Sequence, residues 1–245
     1  MVYFAPYTFN SVGILDTVSH EFSMLQLPLG DGVGDGDVLS KYYGATAIES
    51  SIYFTPFNVD HVGVFETITS RFSMISTVSE TTNVTGTEKY NGAIAIGHRI
   101  FFTPCTQTDV GVLNAVTSTF STISIGLTAL WQYKGGAAIG TTIYLAPWDA
   151  DYVGVLDAET GAFYNISIFA PSLLSPLGFG STTVDDLHWD QTVDHWRPCY
   201  TGHRCDRGAK YAGATAIGTK VYFTPYLEDN VGVLDTLTSA FSMLS

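Results

Sequence analysis

The last 36 residues of this chain, Lys210 to Ser245, read KYAGATAIGTKVYFTPYLEDNVGVLDTLTSAFSMLS, and most of the rest is the same segment written again. Windows 41–76, 89–124 and 132–167 align to it without gaps, and the first of these matches it at 22 of 36 positions. A shorter copy, residues 2–25, opens the chain and lacks the part equivalent to Lys210–Lys220. Prolines mark the phase: Pro6, Pro56, Pro104, Pro147 and Pro225, spaced by 50, 48, 43 and 78 residues. A period of roughly 40–50 residues is the mark of stacked supersecondary units, and it outranks local propensity. Because the copies run along all 245 residues, one domain is expected rather than two.

Each copy contains four short β-like runs. In the last they are Gly213–Ile217, Lys220–Thr224, Val231–Asp235 and Phe241–Leu244, separated by Gly218-Thr219, Pro225 to Asn230 and Thr238-Ser239. No window carries the i, i+3, i+4, i+7 stripe of a helix. The runs are nearly all apolar, as strands covered on both faces are. Four strands cannot bury two faces alone, so each unit needs a neighbour on either side. A ring of four-stranded antiparallel meanders meets that need. The prediction is therefore all-β: a five-bladed β-propeller whose N-terminal blade lacks its inner strand. That blade stays thin, belongs to a larger ring, or takes a strand from the long spacer. The run GATAI supplies small residues for a crowded axis, proline ends the second strand, and Asp235 with Thr238 sets up a capped turn before Phe241.

The order of a small-residue strand, G-x-x-[IV]-Y, a loop and V-x-V-L-D-x-x-T-x-x-F resembles a kelch-type β-propeller blade. The stretch Val153–Gly161 is also similar to quinoprotein-like and surface-layer-type propeller repeats. The resemblance covers the five copies but not the spacers. Where kelch blades carry a Gly-Gly pair after the second strand, this chain has Thr-Pro or Ala-Pro. Rings of this kind close by borrowing a missing strand from the opposite terminus.

A net charge of -13 with only 10 Lys plus Arg argues against nucleic acid, whose phosphates require a basic footprint, and against an anionic membrane surface. No apolar run is long enough to predict a membrane-spanning helix, and no signal-peptide pattern follows Met1. Cys105, Cys199 and Cys205 do not make a disulfide framework, although Cys199 and Cys205 are close enough in sequence for a local bridge. Glycosylation sequons at Asn83 and Asn165 leave the compartment open.

Function is expected where the repeat is interrupted or varies. Residues 168–209 form a long insertion holding His188, His195, His203, Cys199, Cys205, Trp189 and Trp196. Those histidines and cysteines are zinc-type ligands, although H-x6-H-x3-C-x3-H-x-C follows no standard spacing. Asp31, Asp35 and Asp37 invite calcium, but the EF-hand pattern fails where Tyr42 stands for its glutamate. The residue after each proline is Tyr7, Phe57, Cys105, Trp148 or Tyr226, with Asp60, Asp151 and Asp229 beside them. In a propeller these loops and the insertion share one face. Aromatic residues around that mouth suit a peptide or a glycan, and they also suit packing between blades with the aspartates capping their own loops, the plainer reading of the two. No nucleophile elbow, Walker or dinucleotide motif occurs, and the recurring aspartates single out no catalytic pair. The leading expectation is a non-enzymatic module that engages a protein partner and needs no cofactor. A glycan-binding propeller is the alternative, followed by a metal-dependent hydrolase using the insertion histidines.

Overall fold

A computed structural model describes residues 1–27, 40–79, 82–168 and 209–244, together with the backbone of 186–190 and 195–199. Every sheet is antiparallel, and the described residues contain no helix. The first blade is β1 (Val2–Phe4), β2 (Ser11–Leu15) and β3 (Phe22–Gln26). The second runs β4 (Tyr42–Ile48), β5 (Ser51–Pro56), β6 (His61–Glu66) and β7 (Arg71–Ser76). The third runs β8 (Tyr90–Ile96), β9 (Arg99–Pro104), β10 (Asp109–Asn114) and β11 (Thr119–Ser124). The fourth runs β12 (Tyr133–Ile139), β13 (Thr142–Pro147), β14 (Tyr152–Asp157) and β15 (Phe163–Ser167). Within the insertion, β16 (Asp186–Asp190) and β17 (His195–Cys199) form a separate two-stranded sheet. The last blade is β18 (Tyr211–Ile217), β19 (Lys220–Pro225), β20 (Val231–Asp235) and β21 (Ala240–Leu244), within two residues of the runs expected from sequence.

Four apolar clusters lie between successive blades, and alternation along the second strand builds them. Ile52 and Phe54 face back onto Val12 and Leu27 of the first blade. Tyr53, between them, faces forward onto Tyr90, Ile100 and Phe102 of the third. The same alternation sends Phe101 onto Ile143 and Leu145, and Tyr144 onto Val221 and Phe223. Where a blade ends the series, the matching positions open: Val2 and Phe4 are 43% and 47% exposed, against 7% and 0% for Ile52 and Phe54. This packing of meanders is a multi-blade β-propeller. Among the described residues the first blade has three strands, and the ribbon β16–β17 pairs with itself rather than supplying a fourth.

The inner strands β4, β8, β12 and β18 pack side by side along the axis, which explains their small residues. A Cβ placed on Gly92 would lie 2.6 Å from the Cα of Gly135, and one on Gly135 would lie 3.1 Å from the Cα of Gly213. At the outer turn, Asp16, Asn114, Asp157 and Asp235 each accept backbone N–H bonds from residues two and three positions on, as the capped-turn reading expects. The N–H groups of Thr160 and Glu159 hold the Asp157 carboxyl below its usual range.

Between the first two strands, Gly97, Gly140 and Gly218 take positive φ angles of 58°, 61° and 60°, and Glu49 occupies the same slot at 53°. A side chain in the left-handed region costs about 1–2 kcal/mol, only part of which is offset by the extra entropy glycine loses. Glu49→Gly is therefore expected to stabilise the fold by about 0.5–1 kcal/mol and raise Tm by roughly 1–4 °C. Thermal denaturation checks this; an unchanged or lower Tm contradicts it.

Candidate functional site

One face of the propeller is laced by a belt of backbone hydrogen bonds. The carbonyl of Tyr7 accepts from the Lys41 N–H at 2.8 Å, and the carbonyl of Lys41 accepts from Phe57 at 2.9 Å. Phe57 accepts from Lys89, Lys89 from Cys105, Cys105 from Trp131, Gln132 from Trp148, Trp148 from Lys210, and Lys210 from Tyr226. The residue after each proline thus contributes its backbone to the belt. Its side chain is left free to differ, which is why Tyr, Phe, Cys, Trp and Tyr alternate there.

The belt brings the predicted aromatic residues to one mouth. Tyr7 lies 6.1 Å from Phe57 between ring centroids, and the Trp148 and Tyr226 rings are 4.8 Å apart. Phe57 is buried, Trp148 is half-buried, and Tyr226 is 60% exposed. Cys105 is buried beneath the mouth, and that burial pushes its thiol up to about 12, a form inert as a nucleophile at neutral pH.

Two residues that sequence inspection did not single out complete the group. Tyr43 and Lys134 occupy the second position of the inner strand, read as Tyr43, Asn91, Lys134 and Ala212 across the blades. Pairing shifts register there: Tyr42 faces Pro56 and Ala45 faces Phe54, so Tyr43 and Gly44 together oppose Thr55. The same shift places Lys134 and Gly135 opposite Ala146. Bulges re-aim side chains, and these turn Tyr43 and Lys134 into the mouth. Tyr43 packs 5.4 Å from Phe57 and 5.6 Å from Tyr7, while Lys134 Nζ lies 3.9 Å from the Trp148 ring centroid. The available signal was variation: one changing residue inside an otherwise repeated Y-x-G.

The aspartates of the Pro-x-x-x-Asp loops reach across to the next blade. Asp60 Oδ1 accepts from Lys89 Nζ at 2.9 Å, and Asp151 Oδ1 lies 3.1 Å from Lys210 Nζ. Each lysine opens the following blade, so these pairs staple neighbours together. Where the blade opens with Gln132 instead, the preceding loop carries Thr108 in place of aspartate. Asp229 occupies the equivalent place in the last blade and is exposed.

Both ends of the insertion meet this face. Ile168 donates its N–H to the Asp151 carbonyl, and Ala209 donates its N–H to Asp149 Oδ1 at 3.0 Å. In the ribbon between them, Trp189 pairs with Trp196, His188 with Arg197, Asp190 with His195, and Asp186 with Cys199. His203 and Cys205 of the zinc-type set lie outside the described residues, as do Asp31, Asp35 and Asp37 of the calcium reading. Among the described residues no three His, Cys, Asp or Glu side chains converge.

No protein-family model matches the chain, and no curated protein sequence does. Solved structures do. A streptogramin B lyase structure superposes with a TM-score of 0.64 at 15% identity, over 96% of this chain and 62% of that one. This chain therefore spans about three-fifths of that lyase. Virginiamycin B lyase from Staphylococcus aureus superposes with a TM-score of 0.53 at 13% identity, over 96% and 77% of the two chains. A nidogen/laminin complex gives a TM-score of 0.50 at 14% identity, over 99% and 92%. At these identities the likeness is one of fold, and the shared fold is the β-propeller.

Proposed function

We propose that this chain is a kelch-like propeller module that binds a protein partner at the mouth formed by Tyr7, Tyr43, Phe57, Trp148 and Tyr226, with the insertion 168–209 beside it. The observation that carries this reading is the convergence of aromatic side chains from four blades onto one face. Exposed aromatic faces beside polar loops are the composition of binding hot spots. The insertion begins and ends on the loop that carries Trp148, through Ile168 to the Asp151 carbonyl and Ala209 to Asp149. Protein binding by a propeller has a parallel in the nidogen/laminin complex. The kelch-like assignment rests on the order of strands and the repeated glycine, tyrosine and phenylalanine positions.

The test is a peptide display panel run beside a glycan array, comparing the native chain with a Trp148→Ala/Tyr226→Ala double variant. Specific peptide capture by the native chain, reduced at least about tenfold in the variant, is the expected result. Equal capture by both, with matching thermal melts, overturns the assignment of the mouth. Capture of glycans without peptides replaces the protein-partner reading by the carbohydrate one, for which stacking on Trp148 and Tyr226 would be the contact.

A further inference from the structure

Lys134 projects into the mouth from the bulge of the fourth blade. Its Nζ lies 3.9 Å from the centroid of Trp148, 5.0 Å from that of Tyr43 and 5.6 Å from that of Tyr226. All three fall inside the ~6 Å range over which a ring face attracts an ammonium. The rings come from the second, fourth and fifth blades, so only the tertiary fold assembles them. Among the described residues Lys134 forms no hydrogen bond or ion pair, whereas Lys89 and Lys210 on the same face are each held by a carboxylate. The position itself does not call for lysine, since the other blades make the same bulge with Tyr43, Asn91 and Ala212.

Three aromatic faces around one ammonium is the chemistry by which alkylammonium and quaternary ammonium groups are recognised. We propose that this cage is a binding site for an alkylammonium group carried by the ligand, and that Lys134 is its resident occupant, displaced when the ligand enters. A charge of -13 draws cations toward the molecule. Lys134 then sets the affinity: an incoming cation gains the cage only by expelling another cation from it. The inference rests on the mouth being a binding site and names the chemical group that it takes.

Isothermal titration with two probes tests it, each against matched sodium chloride: tetramethylammonium chloride, and a short acetylated peptide carrying one trimethyllysine. Lys134→Ala and Lys134→Met are expected to bind at least one probe roughly tenfold more tightly than the native chain. Adding Trp148→Ala to either variant is expected to abolish the gain. Tighter binding of the peptide assigns the cage to a cation on a protein, and tighter binding of the salt assigns it to a small quaternary ammonium; both support the cage. If both lysine variants melt like the native chain and bind neither probe, or if Trp148→Ala leaves the gain intact, the cage is overturned. That failure is separate from failure of the peptide panel, which reads the mouth without requiring a cation.

Discussion

Replacing Gly111 with alanine is expected to destabilise the fold by about 2–3 kcal/mol and lower Tm by roughly 4–12 °C. A Cβ at Gly111 would lie 2.8 Å from both the Phe120 and the Tyr90 ring. Those rings come from the outer and inner strands of the same blade and close over the backbone of β10. Both are buried, and Tyr90 also packs on Phe102 at 5.8 Å, so neither can swing aside without opening the cluster shared with the second blade. The arrangement recurs at Gly63, Gly154 and Gly232, where the nearest ring atoms would lie at 2.9, 2.8 and 2.7 Å. Gly13 is the internal control. Among the described residues the first blade has no inner-strand tyrosine, and a Cβ there would meet the tip of the exposed Phe22 ring at 3.1 Å, which can swing aside, and the Cβ of Phe4 at 3.3 Å, a milder contact than the 2.8 Å at Gly111. Gly13→Ala should therefore cost less than about 1 kcal/mol. Urea denaturation of the two variants decides the matter, and equal losses would remove the ring-over-glycine account.

Asp60→Asn should cost about 1–3 kcal/mol at neutral pH, a figure reduced from that of a fully buried pair because the carboxylate is half in solvent. The side chain of Lys89 is 0% exposed and that of Asp60 is 50% exposed. Lys89 Nζ also donates to the Gly86 carbonyl at 2.7 Å, so the variant keeps one partner and loses the charged one. Burial depresses the Lys89 ammonium below the ordinary lysine range, and the hydrogen bond and charge of Asp60 work against that depression. The folded chain therefore gives up this proton at lower pH than the unfolded chain. Between the folded and unfolded pKa values the unfolded state binds more protons, and the contribution of Lys89 to stability rises with pH. Removing Asp60 lowers the folded value further and widens that window downward. The gap between native and variant chains should consequently narrow as pH rises through the alkaline range, where a neutral amine no longer needs a carboxylate. Chemical denaturation at several pH values from 7 upward measures it. A gap that stays constant would show that Lys89 and Asp60 are not coupled.

Much of the architecture was legible because the chain states it five times. Val231–Asp235 was placed to the residue as a strand, and the turn at Asp235 was anticipated from side-chain chemistry that acts within a few residues. The candidate site was only half legible. Tyr7, Phe57, Trp148 and Tyr226 follow a proline in every copy, so their shared face could be inferred from phase alone. Tyr43 and Lys134 were missed because their direction depends on a bulge, and a register shift leaves no mark in a single strand's composition. The aspartates illustrate the same limit. They suited caps for their own loops, whereas Asp60 and Asp151 pair with lysines 29 and 59 residues further along, across a blade boundary.

The sequence by itself determined the repeating unit, the number of strands per unit and which residues sit at each turn. These follow from short-range alternation, breakers and capping, all of which act within a few residues. Only the tertiary structure decided which side chains meet. Tyr43 and Tyr226 are 183 residues apart in the chain, and they share one ammonium because successive blades rotate about a common axis and carry equivalent loops to one mouth. That meeting is a property of the propeller rather than of any blade, which is why the repeat announces the scaffold and the convergence of its variable positions marks the candidate site.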